Sequence, residues 1–290
     1  MKNNRKGIIL AGGTATRLFP LTKVISKQLF PVFDKPMIYY PLSNLISIGI
    51  KDILIISTKY HINYFRNLLG NGSNLGINLQ YKIQLKPDGI AKALIIGEKF
   101  LNKSDLVLIL GDNIFYGNDF NKFIKTISFL DKSSIVVKEI KNPNKYGVLK
   151  IDKNNNPIDI IEKPKKFISN LAVTGIYFYK NDVIKIAKKL NPSQRGELEI
   201  TDLNKELLKN SKLKVFKMKK NHSWYDAGNY HDYLKVSNEI FSYEKKNKTK
   251  IGSVDYESYK NKNITKKKLV KRIKEYKSSY YIELLNLLMK

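Results

Sequence analysis

Short stretches rich in isoleucine, leucine and valine recur along the first two thirds of the chain. They lie at 7–11, 53–57, 79–83, 106–110, 134–138 and 173–179. Runs of this length that are bounded by polar residues or glycine are typical of strands buried in a sheet. The hydrophobic pattern therefore predicts a series of buried strands.

Between several of these strands the hydrophobic positions follow a helical period, most clearly at 60–69 and 91–101. Strands that alternate with helices of about ten residues form βα units. Such units predict an α/β fold in which a mostly parallel, twisted sheet is covered by helices on both faces.

The carboxyl ends of the predicted strands are where a ligand is expected, because open α/β sheets bind ligands in the loops that leave those ends. Gly12-Gly13 follows the first strand, and Gly111-Asp112-Asn113 follows the strand 106–110. These two loops are therefore the first candidates for a functional site.

The second half of the chain has a different pattern. Residues 143–157 predict a strand, a turn and a returning strand, and hence a small antiparallel insertion on the main sheet. Helical patterns follow at 182–190, 199–210 and 230–241.

The C-terminal segment 241–290 is basic, and its last part, Lys266–Lys290, is amphipathic. Its apolar side chains near helical spacing are Leu269, Ile273, Tyr276, Tyr280 and Leu284. Because aromatic and leucine stripes usually belong to a core, we predict a helix packed on the body of the protein or at a subunit interface. A helix lying on a membrane surface is the alternative.

The composition is that of a folded globular protein. Of the 290 residues, 42% are hydrophobic and 27% are charged, which supplies enough apolar material for a sizeable core. No apolar run has the length of a membrane-spanning helix or a signal peptide, so the cytoplasm is the expected compartment. The absence of cysteine excludes disulfides and thiol catalysis. The histidines show no metal-ligand spacing, and no serine hydrolase motif is present.

The net charge of +28 admits two interpretations, a nucleic-acid partner or a composition bias. Of the 53 basic residues 48 are lysines, whereas nucleic-acid readers favour the bidentate arginine side chain. The basic residues are also spread along the chain instead of forming one stripe. We therefore expect no nucleic-acid partner, and a nucleic-acid-binding protein remains the alternative from another functional class.

The first candidate for chemistry is the turn Gly12-Gly13-Thr14-Ala15-Thr16-Arg17 after the first strand. Backbone N–H groups of such a turn can approach phosphate oxygens, and Lys27 follows ten residues after Arg17. Two cations near one glycine turn are suited to bind a polyphosphate and to stabilise the negative charge that moves onto its leaving group during a reaction. A plain βα turn with solvated cations is the alternative interpretation.

The second candidate is the pair Asp112 and Asp226. Asp112 follows an apolar strand, and Asp226 lies in Trp224-Tyr225-Asp226-Ala227-Gly228, far along the chain. Carboxylates can hold Mg²⁺ against phosphates, since magnesium prefers a few carboxylates together with substrate oxygens. Each aspartate alone is more often a turn or cap residue.

The third candidate is Glu162-Lys163-Pro164 together with Ala172-Val173-Thr174-Gly175. Recognition of sugar hydroxyl groups requires carboxylate and backbone groups that form hydrogen bonds from a rigid pocket lining. A surface ion pair between Glu162 and Lys163 is the alternative.

Several motifs occur in order along the chain. They are Gly12-Gly13-x-x-Thr16-Arg17-Leu18, Ser26-Lys27-Gln28-Leu29, Asp34-Lys35-Pro36-Met37-Ile38-Tyr39-Tyr40-Pro41, Gly111-Asp112-Asn113-Ile114-Phe115-Tyr116-Gly117, Glu162-Lys163-Pro164 and Arg195-Gly196-Glu197-Leu198-Glu199-Ile200-Thr201-Asp202. In this set the chain resembles the bacterial glucose-1-phosphate thymidylyltransferases, a family of sugar nucleotidyltransferases. The resemblance covers essentially the whole length, and it is densest up to about residue 240.

The resemblance implies a Rossmann-like catalytic domain at 1–240, in which 1–140 mainly binds nucleotide and 141–240 mainly binds sugar phosphate. It implies Mg²⁺-dependent transfer of a thymidylyl group from dTTP to α-D-glucose 1-phosphate, giving dTDP-glucose and pyrophosphate on the way to dTDP-rhamnose. Members of the family are commonly tetramers with a second nucleotide site for feedback inhibition. A related uridylyltransferase is the alternative, because thymine and uracil differ by a methyl group worth roughly 1 kcal/mol in a pocket.

The resemblance also assigns roles by position. The catalytic residues would be Arg17, Lys27 and Asp112, and the metal ligands Asp112 and Asp226. The nucleotide-binding residues would be Gly12, Gly13, Thr14, Ala15, Thr16, Arg17, Lys27, Gln84 and Gly89. The residues lining the sugar-phosphate site would be Tyr146, Gly147, Glu162, Lys163, Val173 and Arg195.

Some positions depart from the family pattern. Thr14-Ala15 replaces Ser-Gly, and the methyl group of Ala15 narrows the approach of phosphate and restricts a left-handed backbone. Lys92 replaces the usual glutamine and adds a cation near the nucleotide. Asn118 replaces the histidine that usually follows Phe-Tyr-Gly.

Overall fold

The computed structural model describes residues 5–13, 15–276 and 283 of the chain. Three residues singled out in the sequence, Thr14, Tyr280 and Leu284, lie outside the described residues.

The main sheet has nine strands among the described residues. These are β1 (Lys6–Ala11), β4 (Asp52–Ser57), β5 (Asn78–Ile83), β6 (Leu106–Leu110), β8 (Ser133–Glu139), β9 (Gly147–Ile151), β10 (Pro157–Glu162), β11 (Leu171–Tyr179) and β12 (Leu213–Lys217). Two pairs stand apart from it, β2 (Pro31–Val32) with β3 (Lys35–Pro36) and β7 (Asn113–Gly117) with β13 (His222–Asp226). All strands predicted from the apolar runs are present.

The strand order is β10-β9-β11-β6-β1-β4-β5, and β8 pairs with β11 and β12. Strands β5, β4, β1 and β6 run parallel, as do β8 and β12, whereas β11 is antiparallel to both groups. The predicted mostly parallel sheet is thus confirmed. The insertion at 143–157 is also confirmed, since β9 and β10 form an antiparallel hairpin at the sheet edge.

Helices cover both faces of this sheet. They are α1 (Tyr39–Ser47), α2 (Ile62–Leu69), α3 (Lys92–Leu101), α4 (Phe120–Ser128), α5 (Val183–Ala187), α6 (Ile200–Lys209), α7 (Tyr230–Asn247), α8 (Val254–Lys260) and α9 (Lys266–Tyr276). Ile9 of β1 packs with α1, α2 and α4 on one face, whereas its neighbour Ile8 packs with α3, α5 and α6 on the other. Because both faces are buried, the strand sequence is continuously apolar.

The C-terminal part packs against the body of the protein. Helix α7 continues through residue 240 to Asn247, and Val254 of α8 belongs to the core on the α1 face. In α9, Leu269 and Ile273 are buried, as their spacing indicates. No helix in the described residues combines the length and the apolar character needed to cross a membrane.

Candidate active site

The two candidate metal ligands are brought together by the β7–β13 ladder. Asp226, the last residue of β13, is paired with Asn113, the first residue of β7. The backbone N–H of Ala227 donates to the carbonyl oxygen of Asp112 at 3.3 Å. Asp226 therefore lies beside Asp112 at the carboxyl end of β6. Neither β7 nor β13 was predicted from the sequence, because the residues after β6 were expected to form a loop that leaves the sheet.

The Asp112 carboxylate forms an ion pair with the ammonium group of Lys27. Burial opposes the ionisation of both groups, but their mutual attraction outweighs it. The pKa of Asp112 is consequently held below its ordinary value, and the pKa of Lys27 is raised above its own. Both side chains are charged at neutral pH, so Lys27 offers a fixed positive charge at this position.

The Asp226 carboxyl group behaves differently. Burial and the nearby negative charge of Asp112 raise its pKa from the ordinary 3.8 to about 6, although Lys27 and Arg17 act in the opposite direction. Burial, the largest of these influences, thus leaves the ionised form of Asp226 incompletely stabilised. A site of this kind favours an additional positive charge.

Asn113 orients the site, and sequence reasoning gave it no role beyond its place in the loop. Its side chain is 3% exposed, and its amide nitrogen donates to Asp112 Oδ1 at 3.0 Å. Its oxygen accepts from Trp224 Nε1 at 2.6 Å and from the backbone N–H of Gly175 at 3.1 Å. Asn113 thus connects the carboxylate of Asp112 to strands β11 and β13.

The turn after β1 has a left-handed backbone. Gly13 has φ +106°, and Ala15 has φ +44° with ψ +40°. The strain expected for an alanine at this position is therefore present. Residues 16–18 then form one turn of 3-10 helix that carries Arg17. A guanidinium nitrogen of Arg17 would lie 3.5 Å from a Cβ added at Gly228, which follows Asp226 by two residues.

A cavity of about 620 Å³ lies on one side of the glycine turn. Gly12, Gly13 and Gln84 line it, together with Pro87 and the loop after β4. The turn and the side chain predicted to meet the base thus share one cavity. Its volume is within the usual range for small-molecule sites.

A smaller cavity, of about 180 Å³, lies on the side of Asp112 and Asp226. Every residue predicted for the sugar phosphate lines it, namely Tyr146, Gly147, Glu162, Lys163, Val173 and Arg195. Arg17 lines it as well. The structure therefore places all of these residues around the smaller cavity. Gln84, Gly12 and Gly13 line the larger one.

Pairing between β9 and β10 positions two residues that line the smaller cavity. The hairpin register places Glu162 opposite Gly147. Glu162 accepts from Thr201 Oγ1 at 2.5 Å and lies 3.4 Å from Arg195, which binds Glu199 at 2.8 Å. Carboxylates, a hydroxyl and a guanidinium thus form one polar wall.

Sequence reasoning gave no role in this cavity to Trp224, Thr201 or Glu199. Tyr146 packs on Trp224 with ring centroids 4.8 Å apart, which forms an aromatic side of the cavity. Thr201 and Glu199 line the same cavity. The signal that could have identified them is the segment Arg195–Asp202, in which charged and hydroxyl residues precede the apolar face of α6.

Comparisons with known proteins identify the family of this chain. A family model described as nucleotidyl transferase matches residues 6–242. The chain belongs to the nucleotidyl transferase family.

Relatives of this nucleotidyl transferase cover nearly its whole length. A glucose-1-phosphate thymidylyltransferase of Neisseria gonorrhoeae is 43% identical over 277 residues, which is 95% of this chain and 96% of the relative. One of Mycolicibacterium smegmatis is 42% identical over 98% of this chain and 99% of the relative. The resemblance seen in the ordered motifs is confirmed, and the protein is a nucleotidyltransferase enzyme.

Solved structures show the same fold. A Bacillus anthracis protein assigned as a glucose-1-phosphate thymidylyltransferase, in complex with sucrose, superposes with a TM-score of 0.75 at 40% identity, covering 81% of this chain and 94% of that one. A UDP-glucose pyrophosphorylase in complex with UDP-glucose superposes with a TM-score of 0.74 at 25% identity, covering 84% of this chain and 100% of that one.

A second acidic cluster of this nucleotidyl transferase is an ion-pair network. Carboxylate oxygens of Asp34, Glu244 and Glu283 lie within 4.8 Å of one another. Lys250 approaches Asp34 at 2.9 Å and Glu244 at 2.8 Å, and Lys35 lies 3.5 Å from Glu244. Because two ammonium groups already compensate these carboxylates, the cluster is a structural element of the C-terminal part.

Proposed function

We propose that the protein transfers a thymidylyl group from dTTP to α-D-glucose 1-phosphate and releases pyrophosphate. The observation that carries this proposal is the pair Asp112 and Asp226, which lines the smaller cavity with Arg17 and beside Lys27, while the glycine turn before Arg17 lines the larger one. A transferase of this class needs two substrate sites that meet at a charged centre. The names of the full-length relatives support the choice of substrates.

Each cavity suits one substrate. The larger cavity has the glycine turn for the phosphates and Gln84 for a base, so it takes the nucleotide. The smaller one has Glu162 and neighbouring polar groups for sugar hydroxyls, so it takes glucose 1-phosphate. Lys163 and Arg195 at its rim attract the sugar phosphate.

Mg²⁺ is the metal that the donor set fits. Magnesium is commonly bound by one or two carboxylates together with substrate phosphate oxygens. Asp112 and Asp226 supply two such carboxylates, and the raised pKa of Asp226 indicates that burial leaves its ionised form incompletely stabilised. When bound, the ion would neutralise phosphate charge and align the two substrates.

The reaction requires no general base. A phosphate oxygen of glucose 1-phosphate, already anionic at neutral pH, attacks the α-phosphorus of dTTP in line. The bond from that phosphorus to the bridging oxygen breaks, and pyrophosphate leaves with the electron pair. Arg17 and Lys27 provide positive charge where the transition state gathers negative charge. The main contribution of the protein is to hold the two negatively charged substrates in line for reaction, although their charges repel each other.

Pyrophosphate release tests the proposal. The purified protein is incubated with Mg²⁺ and dTTP or UTP, each combined with glucose 1-phosphate or an amino-sugar phosphate. We expect the fastest release with dTTP and glucose 1-phosphate, and none after chelation of the metal. No release from any combination would contradict the proposal, and so would salt-sensitive DNA binding without turnover.

A uridylyltransferase is the second candidate function, and the likeness to a UDP-glucose pyrophosphorylase favours it. The thymine methyl group distinguishes the two bases by roughly 1 kcal/mol, so the base alone is expected to give only a modest preference for dTTP. The two nucleotides differ also in the 2′-hydroxyl group, which UTP carries and dTTP lacks. A higher kcat/KM with UTP than with dTTP in the same assay would select this candidate.

We also propose a cytoplasmic homotetramer whose product enters dTDP-rhamnose synthesis, as the family resemblance implies. Light scattering in solution measures the mass of the assembly. A monomeric mass at assay concentrations would contradict the tetramer.

A further inference from the structure

The side chain of Gln84 is held in one orientation. It is 7% exposed, and its amide nitrogen donates to Asp88 Oδ1 at 2.6 Å and to the backbone oxygen of Gly89 at 3.3 Å. A glutamine amide nitrogen carries two hydrogens, and both are directed at acceptors here. The orientation of the amide is thus determined by its neighbours.

The oxygen of the same amide faces the nucleotide cavity. Gln84 Oε1 would lie 3.7 Å from a Cβ added at Gly12, and both residues line the larger cavity. A base bound there meets a hydrogen-bond acceptor at this point. An exchange of the amide oxygen and nitrogen would point a nitrogen at the cavity, and it would also place the oxygen against Asp88.

The loop that carries Asp88 is firmly attached to the segment before α6. The N–H of Leu198 donates to the carbonyl oxygen of Asp88 at 2.8 Å, and the N–H of Ala91 donates to that of Leu198 at 3.2 Å. Gly89, with φ +103°, leaves no room for a side chain, because a Cβ there would lie 2.3 Å from the Leu198 oxygen. The backbone position of Asp88 next to Gln84 is therefore set by these contacts.

We propose that Asp88 is a positioning residue that determines which pyrimidine is accepted. It fixes Gln84 with the acceptor oxygen towards the base. Thymine and uracil carry an N–H at N3 and can donate to that oxygen. Cytosine has an unprotonated N3, so two lone pairs face each other and binding is weakened. This inference rests on the proposed function, since it concerns the nucleotide of that reaction.

Lys92 provides a matched control. Its ammonium group lies 3.8 Å from Asp88 Oδ2, and both side chains are about one third exposed. Exposed pairs of this kind contribute little. The hydrogen bond from Gln84 to Asp88, and not the charge of Lys92, is therefore expected to set the selectivity.

The test compares dTTP with dCTP for the wild type and for Asp88→Ala, Asp88→Asn and Lys92→Gln. Two quantities are measured, kcat/KM with glucose 1-phosphate and the Kd of each nucleotide by calorimetry. In Asp88→Ala the amide can rotate, so the preference for dTTP falls about tenfold to a hundredfold. Asp88→Asn keeps an acceptor for Gln84, and we expect its preference to stay within about threefold of wild type, as for Lys92→Gln.

The outcomes separate this inference from the proposed function. A general loss of structure in Asp88→Ala lowers the values for both nucleotides and leaves their ratio unchanged, which would overturn the inference. Binding of dTTP by the wild type without turnover would contradict the proposed function, while the Kd ratios still decide the role of Asp88. A wild-type protein that binds neither nucleotide overturns both.

Discussion

Asp226 stands opposite Asn113 in the β7–β13 ladder, and Asn113 in turn donates a hydrogen bond to Asp112 at 3.0 Å. One short antiparallel pair thus fixes the relative position of two carboxylates from distant parts of the chain. The proposed chemistry depends on this arrangement, and several substitutions can test it.

Lys27→Ala is expected to lower kcat by on the order of 10²–10³, as for the loss of one preorganised electrostatic group. The ammonium group is paired with Asp112, and the Lys27 side chain is largely buried. Pyrophosphate release at saturating substrates measures the effect. Lys51→Ala, which removes an exposed lysine before β4, should leave the rate within about twofold. A rate for Lys27→Ala within a few-fold of wild type would remove Lys27 from this role.

Asp226→Asn is expected to abolish turnover and yet to stabilise the metal-free protein at pH 7. The folded-state pKa of about 6 exceeds the ordinary 3.8, so the folded protein favours the protonated form. As the pH rises from about 4 to about 6, the wild type loses stability that the variant keeps. The difference in the free energy of unfolding should reach on the order of 1–3 kcal/mol.

Urea denaturation in EDTA at pH 4 and pH 7 measures this difference. It should be close to zero at pH 4 and present at pH 7. A variant less stable than wild type at pH 7 would show that the charge of Asp226 is already compensated.

Asn113→Ala is expected to destabilise the protein by about 2–4 kcal/mol. The substitution leaves Trp224 Nε1 and the N–H of Gly175 without their acceptor in a buried place. Urea denaturation followed by fluorescence of the single tryptophan reports the change. Asn118→Ala, at an exposed position nearby, should change stability by less than about 0.5 kcal/mol. Equal effects of the two substitutions would contradict the orienting role.

Glu162→Gln is expected to raise KM for glucose 1-phosphate about tenfold or more and to leave KM for dTTP unchanged. The carboxylate is part of the polar wall of the smaller cavity, and a charge-assisted hydrogen bond to a sugar hydroxyl is lost. Glu139→Gln, at an exposed carboxylate of β8, serves as the control. A parallel rise of both KM values would argue against a sugar-specific role.

Ala15→Gly is expected to lower KM for dTTP several-fold. The left-handed backbone at Ala15 costs an alanine about 1–2 kcal/mol, and its methyl group narrows the phosphate approach. Because glycine loses more entropy on folding, the net gain in stability should stay below about 1 kcal/mol. Steady-state kinetics with varied dTTP measure the effect. An unchanged KM would show that the methyl group does not face the phosphates.

The sequence predicted most of the fold because the patterns concerned are local. Apolar runs identified six strands of the main sheet, the strand-turn-strand pattern identified β9 and β10, and helical periodicity identified α2, α3, α5, α6 and α7. Strand β12 was missed. Helices α1, α4 and α8 were missed. In α1, nearly every residue of Tyr39–Ser47 is buried, so the segment shows little contrast between an apolar and a polar face. Strands β7 and β13 were missed because each gains its partner only across more than a hundred residues.

What the sequence by itself determined is where most of the strands and helices lie along the chain, the glycine turn after β1 and the set of charged residues at the strand ends. These follow from spacing between near neighbours, which the chain carries without any knowledge of its folded shape. Only the tertiary structure decided that Asp112 and Asp226 are neighbours, that Lys27 neutralises one of them, and that Asp226 is the more easily protonated. Those properties depend on long-range strand pairing and on burial, which removes water from around the charges and makes their interactions strong.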